Sequence, residues 1–162
     1  MTSKIEFNDI PLLSDLTAMQ KSNLLEKSLT FSRAKDETIF KEGDDSTDIY
    51  FVLDGKVFLQ TSTLQDKPVV TDILRPGDLL GWSGFFEGAK MTATAICSSD
   101  VRLAKISRND FMAELLKHSD TGILVMIKVA ETISRRLRET RSRLALHLSG
   151  SDVKQESDVK QE

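Results

Sequence analysis

Between Ser28 and Ser107 short apolar runs alternate with turn-forming residues; after Ser107 the apolar spacing lengthens to that of helices. The alternation is sharpest in Asp48-Ile49-Tyr50-Phe51-Val52-Leu53, which places Ile49, Phe51 and Leu53 on one face of a strand. Lys56 to Gln60 continues it with Val57 and Leu59. Asp54-Gly55 between the two runs predicts a hairpin turn, because glycine takes the positive φ that such a turn needs. Further strands are predicted at Leu29–Ala34, Glu37–Lys41, Val69–Leu74, Thr92–Cys97 and Val101–Ile106. Glu42-Gly43-Asp44, Gln65-Asp66-Lys67 and Pro76-Gly77-Asp78 supply turns between them. Strands this close, mostly without helical crossovers, predict antiparallel pairing in a barrel or sandwich and exclude a doubly wound nucleotide fold.

Helices flank this region. Pro11 opens an N-terminal helical stretch reaching about Glu26, with Ser14 or Thr17 as its cap and Met19, Leu24 and Leu25 as its apolar residues. Arg108 to Lys117 reads as a short helix, and Asp120 as the cap of a longer one reaching about Leu148. Along the latter, Met126, Ala130, Ile133, Leu137, Thr140, Leu144 and His147 recur at spacings of four and three, the seam of a two-stranded coiled coil. Homodimerisation through this helix is the expectation; the alternative is that the stripe packs on its own barrel.

Composition narrows the class. The 162 residues are 40% apolar, enough for one domain with a core, and the net charge is −3 from 22 basic against 25 acidic side chains. The long helix departs from that balance: six Lys and Arg against Asp120, Glu131 and Glu139 leave it at +3, with Glu131–Arg135 and Glu139–Arg143 placed for intrahelical pairs. One cysteine, Cys97, excludes a disulfide framework and thiolate clusters. No apolar run reaches the roughly 18 residues of a membrane span, and no secretion signal opens the chain, so a cytoplasmic protein without membrane partners is expected. Residues 151–156 and 157–162 repeat SDVKQE in tandem. This polar tail, counted from residue 149, is expected to be disordered or to extend the helix beyond a break at Gly150.

Four stretches, in order, carry a resemblance. They are Ile10-Pro11-Leu12-Leu13-Ser14-Asp15-Leu16; Ile39-Phe40-Lys41-Glu42-Gly43-Asp44 with Ile49 to Val57; Leu74-Arg75-Pro76-Gly77-Asp78-Leu79-Leu80-Gly81; and Ile133-Ser134-Arg135-Arg136-Leu137. Together they resemble the cyclic nucleotide-binding domain family, the sensory module of the catabolite activator protein and of protein kinase A regulatory subunits. The resemblance implies a mainly β fold with flanking helices. A double-stranded β-helix (jelly-roll) barrel with an N-terminal helix would span 10–118, and a dimerisation helix 119–148. It also implies a non-catalytic regulatory protein that couples ligand occupancy, of cAMP or cGMP in the family, to movement of that helix and thence to a protein partner not yet identified.

The family's phosphate cassette aligns with Gly81-Trp82-Ser83-Gly84-Phe85-Phe86-Glu87-Gly88-Ala89-Lys90-Met91-Thr92. A cyclic phosphate is an anion, held by backbone amides at a short helix and by a two-pronged arginine bond, while a carboxylate accepts the ribose hydroxyl. Here Trp82 stands at the carboxylate position and Met91 at the arginine position. Loss of both charged partners counts against ordinary cAMP binding, at several kcal/mol or roughly a hundredfold in affinity. The candidate ligand residues are Trp82, Ser83, Gly84, Phe85, Met91, Thr92, Arg136 and Thr140. Lys90 is offset by one residue, which in a strand aims it to the opposite face.

Alternatives remain. Trp82 and Met91 could close the pocket for good, leaving an interaction and dimerisation module, or the pocket could sense another small molecule. A haem sensor would draw an axial ligand from His118, His147, Cys97 or Met91. A cupin-type metalloenzyme needs histidines on its strands, and these strands have none. The family's transcription factors continue into a helix-turn-helix domain, whereas here 14 residues follow Leu148. No DNA-binding domain is therefore expected in this chain.

Overall fold

A computed structural model describes residues 4–62 and 68–158, with side chains as far as 142. The predicted turn at Gln65-Asp66-Lys67 and the last four tail residues lie outside the described residues, as do the side chains of Leu144 and His147. Alternation and tight turns produce eight strands: β1 (Leu29–Arg33), β2 (Thr38–Phe40), β3 (Asp48–Asp54), β4 (Val57–Ser62), β5 (Pro68–Leu74), β6 (Leu79–Leu80), β7 (Thr94–Cys97) and β8 (Val101–Ser107). They form two four-stranded antiparallel sheets, in the orders β1-β8-β3-β6 and β2-β7-β4-β5. The mainly β, jelly-roll-like architecture with flanking helices is the expected one. β6 went unforeseen because two residues carry no period.

One apolar cluster joins the sheets. Tyr50, Val52, Leu80 and Leu103 from the first meet Val57, Leu74, Ala95 and Cys97 from the second. β3 is buried on both faces, for the alternate residues Ile49, Phe51 and Leu53 are covered too. Their cover is aromatic: Phe51 packs against Phe7 and Phe111 with ring centroids 6.2 Å away in each case.

The helices are α1 (Ala18–Glu26), α2 (Arg108–Lys117) and α3 (Ser119–Asp158). Thr17 caps α1, its Oγ1 accepting from the Gln20 amide while the Gln20 side chain accepts from the Thr17 amide. Ser14, the other candidate, instead ends a short 3-10 turn, Pro11–Leu13, and its Oγ accepts a hydrogen bond from Lys128. α2 has the predicted bounds and is capped by Ser107. Asp120 does not cap α3. The helix starts one residue earlier, and the His118 carbonyl accepts from the Gly122 amide at 2.8 Å and the Thr121 hydroxyl at 3.1 Å. Glycine at 122 permits this tight start, since a Cβ there would lie 2.5 Å from the Leu115 carbonyl oxygen.

Three polar ties join α1 and the segment before it to the other helices. Gln20 donates to Thr121 at 3.0 Å, Asn23 donates to the buried Glu114 at 2.9 Å, and Lys128 pairs with Asp15. The chain divides into two compact units, Met1–Val129 and Ala130–Glu162. In the second, the backbone of α3 stays helical through Gly150, so no break occurs there. Arg135 pairs forward with Glu139 at 3.3 Å rather than back with Glu131. The side chain of Arg143 lies outside the described ones. Among the described residues, no helix is long and apolar enough to cross a membrane.

Candidate functional site

β6 delivers the chain to Gly81, which takes φ 74°, a left-handed conformation natural to glycine. A single 3-10 turn, Trp82–Phe85, follows directly. Its close seat on β3 depends on Gly84, where a Cβ would stand 2.5 Å from the Asp48 carbonyl oxygen. Two internal bonds hold the turn, the Gly84 amide donating to the Gly81 carbonyl at 2.9 Å and the Phe86 amide to the Ser83 carbonyl at 3.0 Å. Phe85 points toward α2 and meets Phe111 edge-on at 5.6 Å. Trp82 is half-buried, with exposed Phe86 edge-on at 6.3 Å.

The strand-like segment after the turn is clasped to residues 43–46. The Gly43 amide donates to the Met91 carbonyl and the Met91 amide to the Asp44 carbonyl, both at 2.8 Å; the Ser46 amide donates to the Ala89 carbonyl at 3.1 Å. Alternation then separates two neighbours. Lys90 turns outward into an ion pair with Asp45, while Met91 turns inward and is 4% exposed. The Met91 sulfur accepts a hydrogen bond from the buried Ser46 hydroxyl at 3.2 Å. A cavity of about 20 Å³ remains beside it, lined by Phe40, Leu59, Gly81, Trp82, Ser83, Met91, Thr92 and Ala93. That is space for about one water, whereas small-molecule sites run to roughly 300–1,000 Å³.

The electrostatics are unfriendly to anions. Residues 41–48 and 81–95 together carry five carboxylates (Glu42, Asp44, Asp45, Asp48, Glu87) against Lys41 and Lys90. Asp48 is tied to Lys105 at 3.4 Å, and Lys90 is committed to Asp45. The phenol of Tyr50, in the same core cluster as Met91, is pushed up to about 12, first by burial and then by Asp48 and Asp44. A dry interior with negative neighbours disfavours a further negative charge.

Of the sequence-predicted ligand residues, Trp82, Ser83, Met91 and Thr92 line this cavity. Gly84 and Phe85 belong to the same turn but face β3 and α2. Arg136 and Thr140 lie on α3 in the second unit, the first buried and the second exposed. Sequence reasoning missed Ser46, Phe40 and Leu59; only tertiary pairing brings Ser46 to Met91, 45 residues away. Of the four axial-ligand candidates for haem, the His147 side chain lies outside the described residues, and the other three stand in different settings. Cys97 is inside the core cluster with its thiol pushed up by burial, the Met91 sulfur is engaged by Ser46, and His118 stands exposed between α2 and α3. Among the described residues no cluster of three metal-ligating side chains occurs.

Comparison with known proteins names the architecture. The family model described as "Cyclic nucleotide-binding domain" matches residues 31–118, more than half of the chain. The chain belongs to that family. The Cyclic AMP receptor protein of Thermus thermophilus is 31% identical over 101 residues, 62% of this chain and 45% of that protein. The cAMP-activated global transcriptional regulator of Haemophilus influenzae is 25% identical over 154 residues, 91% of this chain and 66% of that protein. This chain therefore spans about half to two thirds of those relatives' lengths. A crystal structure of a cyclic nucleotide-binding domain from Methylobacillus flagellatus superposes with a TM-score of 0.75 at 20% identity, covering 87% of this chain and 79% of that one. Within this shared frame, Trp82 and Met91 bring no charge to the cavity, which is about 20 Å³.

Proposed function

We propose that this chain is a non-catalytic regulatory module of the cyclic nucleotide-binding kind that senses something other than a cyclic nucleotide. The observation carrying this reading is Met91: buried at the arginine position, anchored on Ser46, and leaving about 20 Å³ where a nucleotide would have to sit. A route from cassette to long helix supports the sensing half. Phe85 abuts Phe111 of α2, Glu114 of α2 holds Asn23 of α1, and Gln20 of α1 holds Thr121 of α3. A ligand that favours one position of the cassette turn over another would bias α3 through these contacts.

The signal would pass to a second copy of the chain and to a protein partner. Exposed Ile123, Ile127, Ala130 and Leu137 on α3 keep spacings of four, three and seven, as an unpartnered coiled-coil seam does. They share Ala130 and Leu137 with the seam read from sequence; Met126 and Ile133 of that seam are half-buried, and Thr140 is exposed. The rival reading, a permanently closed interaction module, draws its support from the same small cavity and the clasp at residues 43–46.

Titrating cAMP and cGMP separately, by calorimetry and by emission of Trp82, tests the proposal. The native chain should show no saturable binding below millimolar nucleotide. Met91→Arg should gain it, provided the cradle's backbone suits the anion. Micromolar binding by the native protein would overturn the reading.

A further inference from the structure

The cassette cavity has a chemistry of its own, and the inference drawn from it rests on the reading that no cyclic nucleotide occupies it. Its wall is formed by Phe40, Leu59, Trp82, Met91 and Ala93 with the hydroxyl residues Ser83 and Thr92, and two of these residues are aromatic. Behind Met91 lies the continuous apolar cluster of Tyr50, Val52, Leu80 and Ala95. No side chain in the wall is charged, and the five carboxylates on the two framing segments outnumber the two lysines. We propose that this cavity binds an uncharged, flat apolar molecule of one or two rings, which enters by displacing the Met91 side chain and stacks against Trp82.

Three features of the site make Met91 a movable plug rather than fixed filler. Methionine has three rotatable bonds and a polarisable sulfur, so it re-seats at small cost where a branched side chain would not. Its one polar tie is a hydroxyl-to-sulfur hydrogen bond from Ser46, the weak kind. The backbone of residue 91 is independently held by Gly43 and Asp44, so the side chain can leave without unfastening the segment. Swinging Met91 aside joins its volume to the existing void, and the wall then exposed is uncharged, with the hydroxyls of Ser46, Ser83 and Thr92 as its polar groups. An aromatic guest would gain ring contacts with Trp82 and Phe40, and it would bring no charge to be desolvated beside Asp44 and Asp48.

The test uses two fluorescent probes built on the same flat two-ring naphthylamine. 1-Naphthylamine is uncharged, and 1-naphthylamine-8-sulfonate is the same molecule with an anionic group. Trp82 is the chain's one tryptophan, so energy transfer from it reports binding near the cassette. The expected result is saturable one-site binding of the uncharged probe to the full chain, with quenching of Trp82 and at least tenfold weaker binding of the sulfonate. Met91→Ala, which removes the plug, should tighten the uncharged probe about fivefold or more. Met91→Arg should reverse the preference between the probes. Circular dichroism confirms that each variant is folded, and Met91→Ala keeps the test alive should the arginine variant unfold. Absence of energy transfer in both the native protein and Met91→Ala would overturn this inference while leaving the nucleotide-independent reading intact. Equal affinity for the two probes would overturn it as well. Micromolar cAMP binding in the parallel titration would overturn the reading on which it rests.

Discussion

Glu114 is 1% exposed yet carries a carboxylate, and Asn23→Ala probes what holds it there. The Asn23 amide donates to one carboxylate oxygen at 2.9 Å, and Lys117 donates to the other at 3.1 Å. These partners, Asn23 foremost, hold the Glu114 carboxyl below its ordinary value of 4.5 against the opposing pull of burial. A hydrogen bond to a charged group contributes about 1.5–3 kcal/mol, and alanine in a helix recovers about 0.5 kcal/mol relative to asparagine. The variant should therefore lose about 1–2.5 kcal/mol at pH 7, a fall in Tm of about 5 °C for a chain of this size. The sign with pH follows from linkage. A group whose pKa is lowered on folding contributes stability that is full above its unfolded value and is lost as pH falls through the folded one. The difference between native and variant should accordingly be full above about pH 4.5 and shrink to less than about 1 kcal/mol once Glu114 is protonated, where only a neutral bond remains. Urea unfolding across pH 3 to 7 measures this directly. Glu114→Gln supplies the uncharged reference at pH 7, and in that background Asn23→Ala should cost the smaller amount at every pH. A loss that is equal at pH 3 and pH 7, or below about 0.5 kcal/mol at pH 7, would refute the assignment of Asn23 as the principal partner of a charged Glu114.

Two further outcomes follow. Gly84→Ala should destabilise the fold by about 1–3 kcal/mol in urea, the usual cost of overpacking, because its Cβ would stand 2.5 Å from the immovable Asp48 carbonyl oxygen; unchanged stability would show that the cassette turn can lift off β3. Ile127→Glu together with Leu137→Glu should shift the chain from dimer to monomer in sedimentation equilibrium at micromolar concentration without altering its far-ultraviolet dichroism, and a dimer that persists would place the interface elsewhere.

How far the fold could be read from sequence depended on how far each signal was local. β3 announced itself because its alternate residues Ile49, Phe51 and Leu53 must share a face, and α2 because Phe111 and Leu115 recur at the helical spacing of four. β6 is two leucines long and has no period to detect. The start of α3 was displaced because Asp120 lies inside the first turn, where an acidic side chain is also favoured, and the first intrahelical bond runs from the Gly122 amide to the His118 carbonyl. Glu114 could have been noticed: it stands three residues beyond buried Phe111 on the same helical face, where a carboxylate demands a partner. Which partner, Asn23 at a separation of 91 residues, only the tertiary structure supplies.

The site was legible in a different sense. Trp82 and Met91 stood out only against the resembled family, since neither residue type is unusual for a strand or turn. Sequence could not show what holds the cassette turn in place. The cassette turn is held by packing and by its own backbone: Gly84 against β3, Phe85 against Phe111, Gly81 in its left-handed bend, and residues 89–91 clasped to 43–46. None of these contacts involves the side chains of Trp82 or of Met91. The turn is therefore held by contacts that do not depend on the charge of the side chains at positions 82 and 91. Under the proposed function, substitutions at 82 and 91 would change what the cavity holds while the contacts from Phe85 through Phe111, Glu114, Asn23 and Gln20 to Thr121, which would report on it, stay in place.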